Sequence, residues 1–282
     1  MAVLPEGTFA RRACWPKEYS GDFQAKISNC YENGFDVITP DSIVFFTFDV
    51  QRLNPLSILV PESVISNVRP GLPIKLEKKN LLLGNIELYA TREIADPQVR
   101  LNHNDGILRQ NLMRLHSNIK LFGRSSEVKD LVLGCNNRQN LLSGAEALLV
   151  ERNVSLEKLK WLLGAGEGLT PSFDDFLAGM LLADRLLKFN LMLIPWDFFA
   201  IAAGKTTRQS LQQLAFAASG RLNLAFEEFC AGLCMKEMSS ASILKVMHYG
   251  HSSGTDILCG IWWYIERNFS HFQALISRSD SL

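Results

Sequence analysis

An α+β fold is expected for this chain, with a β-rich N-terminal region followed by a larger, mostly α-helical C-terminal domain. Three observations predict it. Through about residue 100, runs of β-branched and aromatic residues are cut at short intervals by prolines, the pattern of strands separated by turns. Beyond Asn104 apolar residues recur at spacings of three and four, and only Pro171 and Pro195 remain of the prolines, the pattern of amphipathic helices. A length of 282 residues, 47% hydrophobic and 21% charged, supplies core for one large domain or two ordinary ones at roughly 100–200 residues each. The change of pattern divides the chain into a β-rich domain over 1–100 and a helical domain over 101–282.

The strand signals are DVITPDSIVFFTFDV (Asp36 to Val50), the apolar run PLSILVP between prolines, and PIKLEKKNLLLGNIELYA, which alternates around Asn80 and Gly84. Helices are expected over GILRQNLMRLHSNIKLF, NLLSGAEALLVERN and SLEKLKWLL, the last opening on a serine in N-cap position. They continue through SFDDFLAGMLLADRLLKF, PWDFFAIAAG, TTRQSLQQLAFAASG, RLNLAFEEFCAGLCMKEM, SASILKVMHYG and GTDILCGIWWYIERNF. No repeat of solenoid length is visible, and no low-complexity linker parts the two halves.

Several function classes are disfavoured. Lysine plus arginine balance aspartate plus glutamate at 29 each, so no net field draws the protein to nucleic acid or an anionic membrane. The six cysteines form no CxxC and have no histidine at zinc spacing. They read as reduced thiols of a cytoplasmic protein that holds no metal. The N-terminus lacks a signal-peptide apolar core, and no apolar run reaches the roughly 18 residues that a spanning helix needs.

The densest signal is GAGEGLTPSFDDFLAG, Gly164 to Gly179. Gly164, Gly166 and Gly168 supply backbone freedom between two helices, Thr170 or Ser172 is placed to cap the second, and Asp174 and Asp175 fall in its first turn, where the helix dipole favours carboxylates. Two readings stay open. One is a nest of amides and hydroxyls for a phosphate or carboxylate; the other is a capped joint that needs no ligand. The segment is neither a Walker loop nor a dinucleotide fingerprint, because no GK[ST] follows the glycines and a helix stands where a strand is required.

A second segment has a similar design. Without gaps, TPSFDDFLAG aligns with HSSGTDILCG (His251 to Gly260), matching Ser172 with Ser253, Asp175 with Asp256, Leu177 with Leu258 and Gly179 with Gly260. Two helix starts converging on one site would account for the likeness. His251 would serve there as an acid, base or donor near neutral pH, or else stand on a polar surface, and Ser253 would cap or bind. Between the two segments, AAGKTTRQS groups Thr206, Thr207 and Arg208 at a helix start. This is chemistry suited to an anion, or an ordinary capped and solvated turn.

At GAGEGLTPSFDDFLAG, TTRQS and GHSSGTDILCG, in that order, the chain resembles a bacterial family associated with purine and allantoin catabolism. One branch of it is regarded as a subunit of oxamate carbamoyltransferase. The matching positions are Gly164, Gly166, Gly168, Thr170, Pro171, Ser172, Asp174 and Asp175; Thr206, Thr207 and Ser210; and His251, Ser253, Gly254 and Asp256. Phe173 stands where the family commonly has glycine. The resemblance covers the helical half well and the β-rich half loosely. It implies a subunit of a complex that converts oxalurate and phosphate to oxamate and carbamoyl phosphate, with no cofactor. His251, Asp175 and Asp174 would act in the chemistry. The three glycines, Thr170, Ser172, Thr206, Thr207, Arg208, Ser253, Gly254 and Asp256 would bind substrate or phosphate. The alternatives are a non-catalytic ligand-binding or scaffolding subunit, and a phosphotransferase holding magnesium through Asp174 and Asp175.

Overall fold

Alternation of apolar and polar residues shapes the first strands of the computed structural model, which describes residues 4–15, 22–77, 79–96, 105–134 and 156–270. Eight strands form: β1 (Thr8–Arg12), β2 (Phe23–Tyr31), β3 (Gly34–Ile38), β4 (Ile43–Thr47), β5 (Ser57–Leu59), β6 (Pro73–Glu77), β7 (Asn80–Leu83) and β8 (Ile86–Ile94). They close into a barrel in the order β1-β5-β4-β3-β2-β6-β7-β8. β1 runs parallel to β8 and β4 parallel to β5, while the remaining neighbours are antiparallel. Closure leaves no free sheet edge.

Side chains fill the barrel. Phe9, Phe35, Val37, Phe46, Ile58, Leu76, Leu81 and Leu88 are among its buried core, and Phe35 stacks on its cross-strand partner Phe46 with ring centroids 4.6 Å apart. The β7–β8 hairpin turns through Gly84, whose φ of 58° suits the left-handed turn that matches strand twist. A short helix α1 (Glu62–Ile65) follows β5.

By contact density the chain divides into two units, Met1–Gln98 with Leu222–Ala225, and Val99–Arg221 with Phe226–Leu282. Arg12 ties the returning segment into the first unit. Its guanidinium is fully buried, donates to the carbonyls of Leu53 (3.2 Å) and Leu222 (2.9 Å), and pairs with Asp96 at 2.7 Å.

The helical unit contains α2 (Asp105–Phe122), α3 (Glu127–Val132), α4 (Leu156–Leu159), α5 (Ser172–Leu186), α6 (Phe198–Lys205), α7 (Arg208–Ala218), α8 (Leu224–Leu233, whose first residues count with the barrel unit), α9 (Ser240–Met247) and α10 (Ser253–Arg267). The α+β expectation therefore holds: a mixed eight-stranded barrel precedes a helical region. The expected helix NLLSGAEALLVERN and the serine opening SLEKLKWLL lie outside the described residues. The remainder of SLEKLKWLL forms only α4 and a 3-10 turn over Lys160–Leu162.

The unit is built on α5 and α10. Every residue of α5 from Ser172 to Asp184 is buried, the signature of a helix enclosed on all sides. The two helices run parallel, with Gly179 on the Ile257 carbonyl and Gly260 on the Phe176 carbonyl. A Cβ added at Gly179 would lie 3.1 Å from the Ile261 nitrogen, and one at Gly260 would lie 3.1 Å from the Met180 nitrogen. Each contact repeats the other at positions 81 residues later, the same offset that aligns the two helices end to end. The pair is an approximate two-fold.

Candidate functional site

Because α5 and α10 are parallel, their N-termini and unpaired amides stand side by side. Two positive dipole ends at one place favour negative charge. The chain puts Asp174, Asp175 and Asp256 in those first turns, all with no exposed surface.

Asp174 organises the glycine loop. Its Oδ1 accepts from the Gly164 amide at 2.9 Å, and its Oδ2 accepts from the Thr206 hydroxyl. Burial pushes its carboxyl above the usual range, against the pull of these donors and of Ser210. Gly164, Gly166 and Gly168 all take positive φ, at 78°, 114° and 92°. A Cβ on Gly164 would strike the Lys205 carbonyl, and one on Gly166 would strike the Ser172 amide. Glycine is thus required by both conformation and space at two of the three positions. TTRQS meets the loop from the other side, where Thr207 donates to the Leu169 carbonyl while its Oγ1 caps α7 by accepting from the Ser210 amide at 3.1 Å.

Asp175 accepts from Gln213 of α7 at 2.6 Å, and Asp256 accepts from Ser126, the N-cap of α3. Burial raises Asp175 to about 7, opposed by Gln213 and the nearby hydroxyls of Ser253 and Thr170, and raised further by Asp174. Burial raises Asp256 to about 8, with Ser126 opposing and Asp175 adding to the rise. Hydroxyls are exchanged across the two-fold: Ser253 of α10 lies by Asp175, and Ser172 of α5 lies by Asp256. Thr170 and Ser253 join the two starts directly, with their hydroxyl oxygens 2.9 Å apart.

Neither helix start carries the side-chain cap expected from sequence. Pro171 occupies the N-cap of α5 and Ser252 that of α10, and neither makes a side-chain capping bond. Thr170, Ser172 and Ser253 are spent between the helices instead. Phe173 is fully buried, its amide donating to the Ala165 carbonyl at 3.1 Å and its ring centroid 5.9 Å from that of Phe176. Its counterpart Gly254 sits where a Cβ would strike the carbonyls of Val246 and Met247. One helix start has room for a large side chain, and the other has room for none.

The glycine loop, Thr206, Thr207 and the α10 start are thus brought together. His251 and Arg208 stand exposed beside Ser252 and Thr207 respectively. Gln213 and Ser126 were missed by sequence reasoning: Ser126 had a capping signature, whereas Gln213 had only an ordinary polar position within α7. A magnesium role for the adjacent aspartates does not fit. Both Asp174 oxygens are occupied by protein donors, and Asp175 is sealed behind Gln213.

A mixed barrel followed by helices, with hydroxyls, amides and buried carboxylates gathered at two parallel helix starts, defines an α+β protein whose candidate site is the pair of helix termini. Residues 162–265, which carry all three loops, match the family model described as oxamate carbamoyltransferase subunit AllH. No solved structure matches the chain. Among the described residues no helix is long and apolar enough to cross a membrane.

Proposed function

We propose that the chain works within a carbamoyltransferase complex that converts oxalurate and phosphate to oxamate and carbamoyl phosphate, and that its contribution lies at the paired helix starts. The observation that carries this reading is the position of the family match, which spans α5, the TTRQS turn and α10 together. Phosphate attack on a carbamoyl carbon needs donors for the anion, polarisation of a carbonyl and positioning of the leaving nitrogen, with no covalent nucleophile required. Arg208 and His251 are the exposed side chains suited to those tasks, and the hydroxyls of Thr170, Thr207 and Ser253, engaged within the loops, would have to exchange those partners for substrate. The buried aspartates shape the loops that present them.

One observation favours a second reading, in which the chain binds ligand or scaffolds while another subunit performs the chemistry. All three first-turn carboxylates are closed to solvent. Reconstitution with the partner subunits and an assay of carbamoyl phosphate formed from oxalurate tests the first reading. His251→Ala and Ser253→Ala are expected to depress turnover in the folded complex. Full activity in both variants removes this rim from the reaction and leaves the scaffolding role.

A further inference from the structure

Two adjacent arginines end β1 and turn to opposite faces of the strand. Arg12 directs its Nε and Nη2 atoms to one oxygen of Asp96, at 3.0 and 2.7 Å. Arg11 turns to the barrel core, with its guanidinium carbon 5.8 Å from the centre of the Phe9 ring and 4.7 Å from that of Trp15. Phe9 belongs to that core and Trp15 packs against it. The chain turns just after β1, where the Trp15 amide donates to the Arg12 carbonyl at 3.1 Å, and the turn carries the indole back over Arg11.

The edge that Arg12 spends on a carboxylate is unspent in Arg11. Among the described residues, Nε and Nη2 of Arg11 and Nε1 of Trp15 are all buried and all lack a hydrogen-bond partner. Glu93, opposite Arg11 in β8, and Asp22, whose charge reaches it, leave these three donors unserved. Aromatic faces hold a cation by its charge but give no oxygen to an N–H, and buried donors in folded proteins are otherwise almost always paired. The Nε–H and Nη2–H bonds of a guanidinium lie parallel on one edge, at the spacing of two oxygens of a carboxylate or phosphate. Arg11 and Trp15 each keep part of their surface in solvent, so a small ligand can reach them from the end of the barrel, a usual place for such sites.

We propose that Arg11 and Trp15 form a binding site for a small oxoanion, in which the Nε–Nη2 edge of Arg11 takes two oxygens of a carboxylate or phosphate and the Trp15 indole N–H donates a third hydrogen bond to the same group. Burial disfavours the charge on Arg11, and an anion on this edge would offset that cost. Both residues belong to the barrel unit, Met1–Gln98, and the site is independent of whatever the helix starts bind.

Nitrogen-15 NMR of the indole N–H signals in the full chain, titrated with inorganic phosphate in one arm and malonate in the other, tests it. The Trp15 signal, assigned through its own backbone, should shift saturably with at least one probe and stay in place with potassium chloride at equal ionic strength. A response to one probe alone names the acidic group of the ligand. Arg11→Gln should weaken the binding read at Trp15 by at least about tenfold, because two charge-assisted hydrogen bonds are lost. Arg11→Lys should recover only part, since an ammonium keeps the charge without the fork. A Trp15 signal that neither probe moves, or that chloride moves equally, overturns the proposal even if the variants fail to fold; so does unchanged affinity in folded Arg11→Gln.

Discussion

Gly260 meets Phe176 so closely that its Cα faces that residue's carbonyl oxygen with no room for a methyl group. The contact places the α5 and α10 backbones nearer than side chains would allow, and it permits Cα–H···O interactions along the seam. Gly260→Ala, and its counterpart Gly179→Ala, should each destabilise the protein by about 1–3 kcal/mol through overpacking. Gly204 in α6 has no neighbour within 4 Å of a built Cβ, so Gly204→Ala should be neutral or stabilising by up to about 1 kcal/mol. Urea unfolding of the three variants checks both signs, and a common sign would refute the argument.

Asp174 spans ten residues to hold the Gly164 amide. Asp174→Ala strips a buried N–H and the Thr206 hydroxyl of their acceptor, a loss of about 1–3 kcal/mol. The Gly164 amide should exchange with solvent much faster in the variant, whereas amides midway along α10 should not. Hydrogen exchange read residue by residue distinguishes this local release from general loosening.

Stability should fall as pH rises from about 4 to about 8. The Asp175 and Asp256 carboxyls stand near 7 and 8 in the folded chain, against about 3.9 unfolded. Across that window the folded state binds more protons than the unfolded one, so their contribution is full below the window and lost as pH climbs through it. Denaturant midpoints measured between pH 5 and pH 9 should decline, and the double Asp175→Asn, Asp256→Asn variant should flatten the decline. A midpoint that climbs with pH across this range would contradict the assignment.

Arg12, fully buried, serves two carbonyls and one carboxylate. Removing it in Arg12→Ala leaves Asp96 and the Leu53 and Leu222 carbonyls short of their donor, at a cost of about 3–5 kcal/mol. Arg12→Lys should recover only part, since an ammonium cannot reproduce the planar fork. Thermal melting of both variants checks the ranking.

Much of the local structure was legible because it is written in nearby residues. The alternation in PIKLEKKNLLLGNIELYA gave the strands that became β6, β7 and β8, and glycine and helical spacing marked the starts of α5 and α10. The likeness between TPSFDDFLAG and HSSGTDILCG pointed to related helix starts; their parallel packing through glycines depends on contacts that no ten-residue window contains. The β1–β8 and β4–β5 pairings escaped for a similar reason, since parallel partners are not joined by a tight hairpin with a turn signal of its own. Gln213 resembles any polar residue on a half-exposed helix until Asp175 of another helix faces it. The hydroxyls at Thr170 and Ser253 were read as caps or as ligand donors because local chemistry favours those uses, while tertiary packing turned them toward each other.

The glycine seam between α5 and α10 also limits how the molecule can move. A slide of one residue would drive a side chain into a carbonyl, so the seam works as a ratchet with a single seated tooth. Motion at the two helix starts is therefore left to the segments before them, Gly164 to Thr170 and Tyr249 to Ser252, while the helix axes keep their register. The two helix starts are thus fixed relative to each other by backbone contact rather than by their side chains.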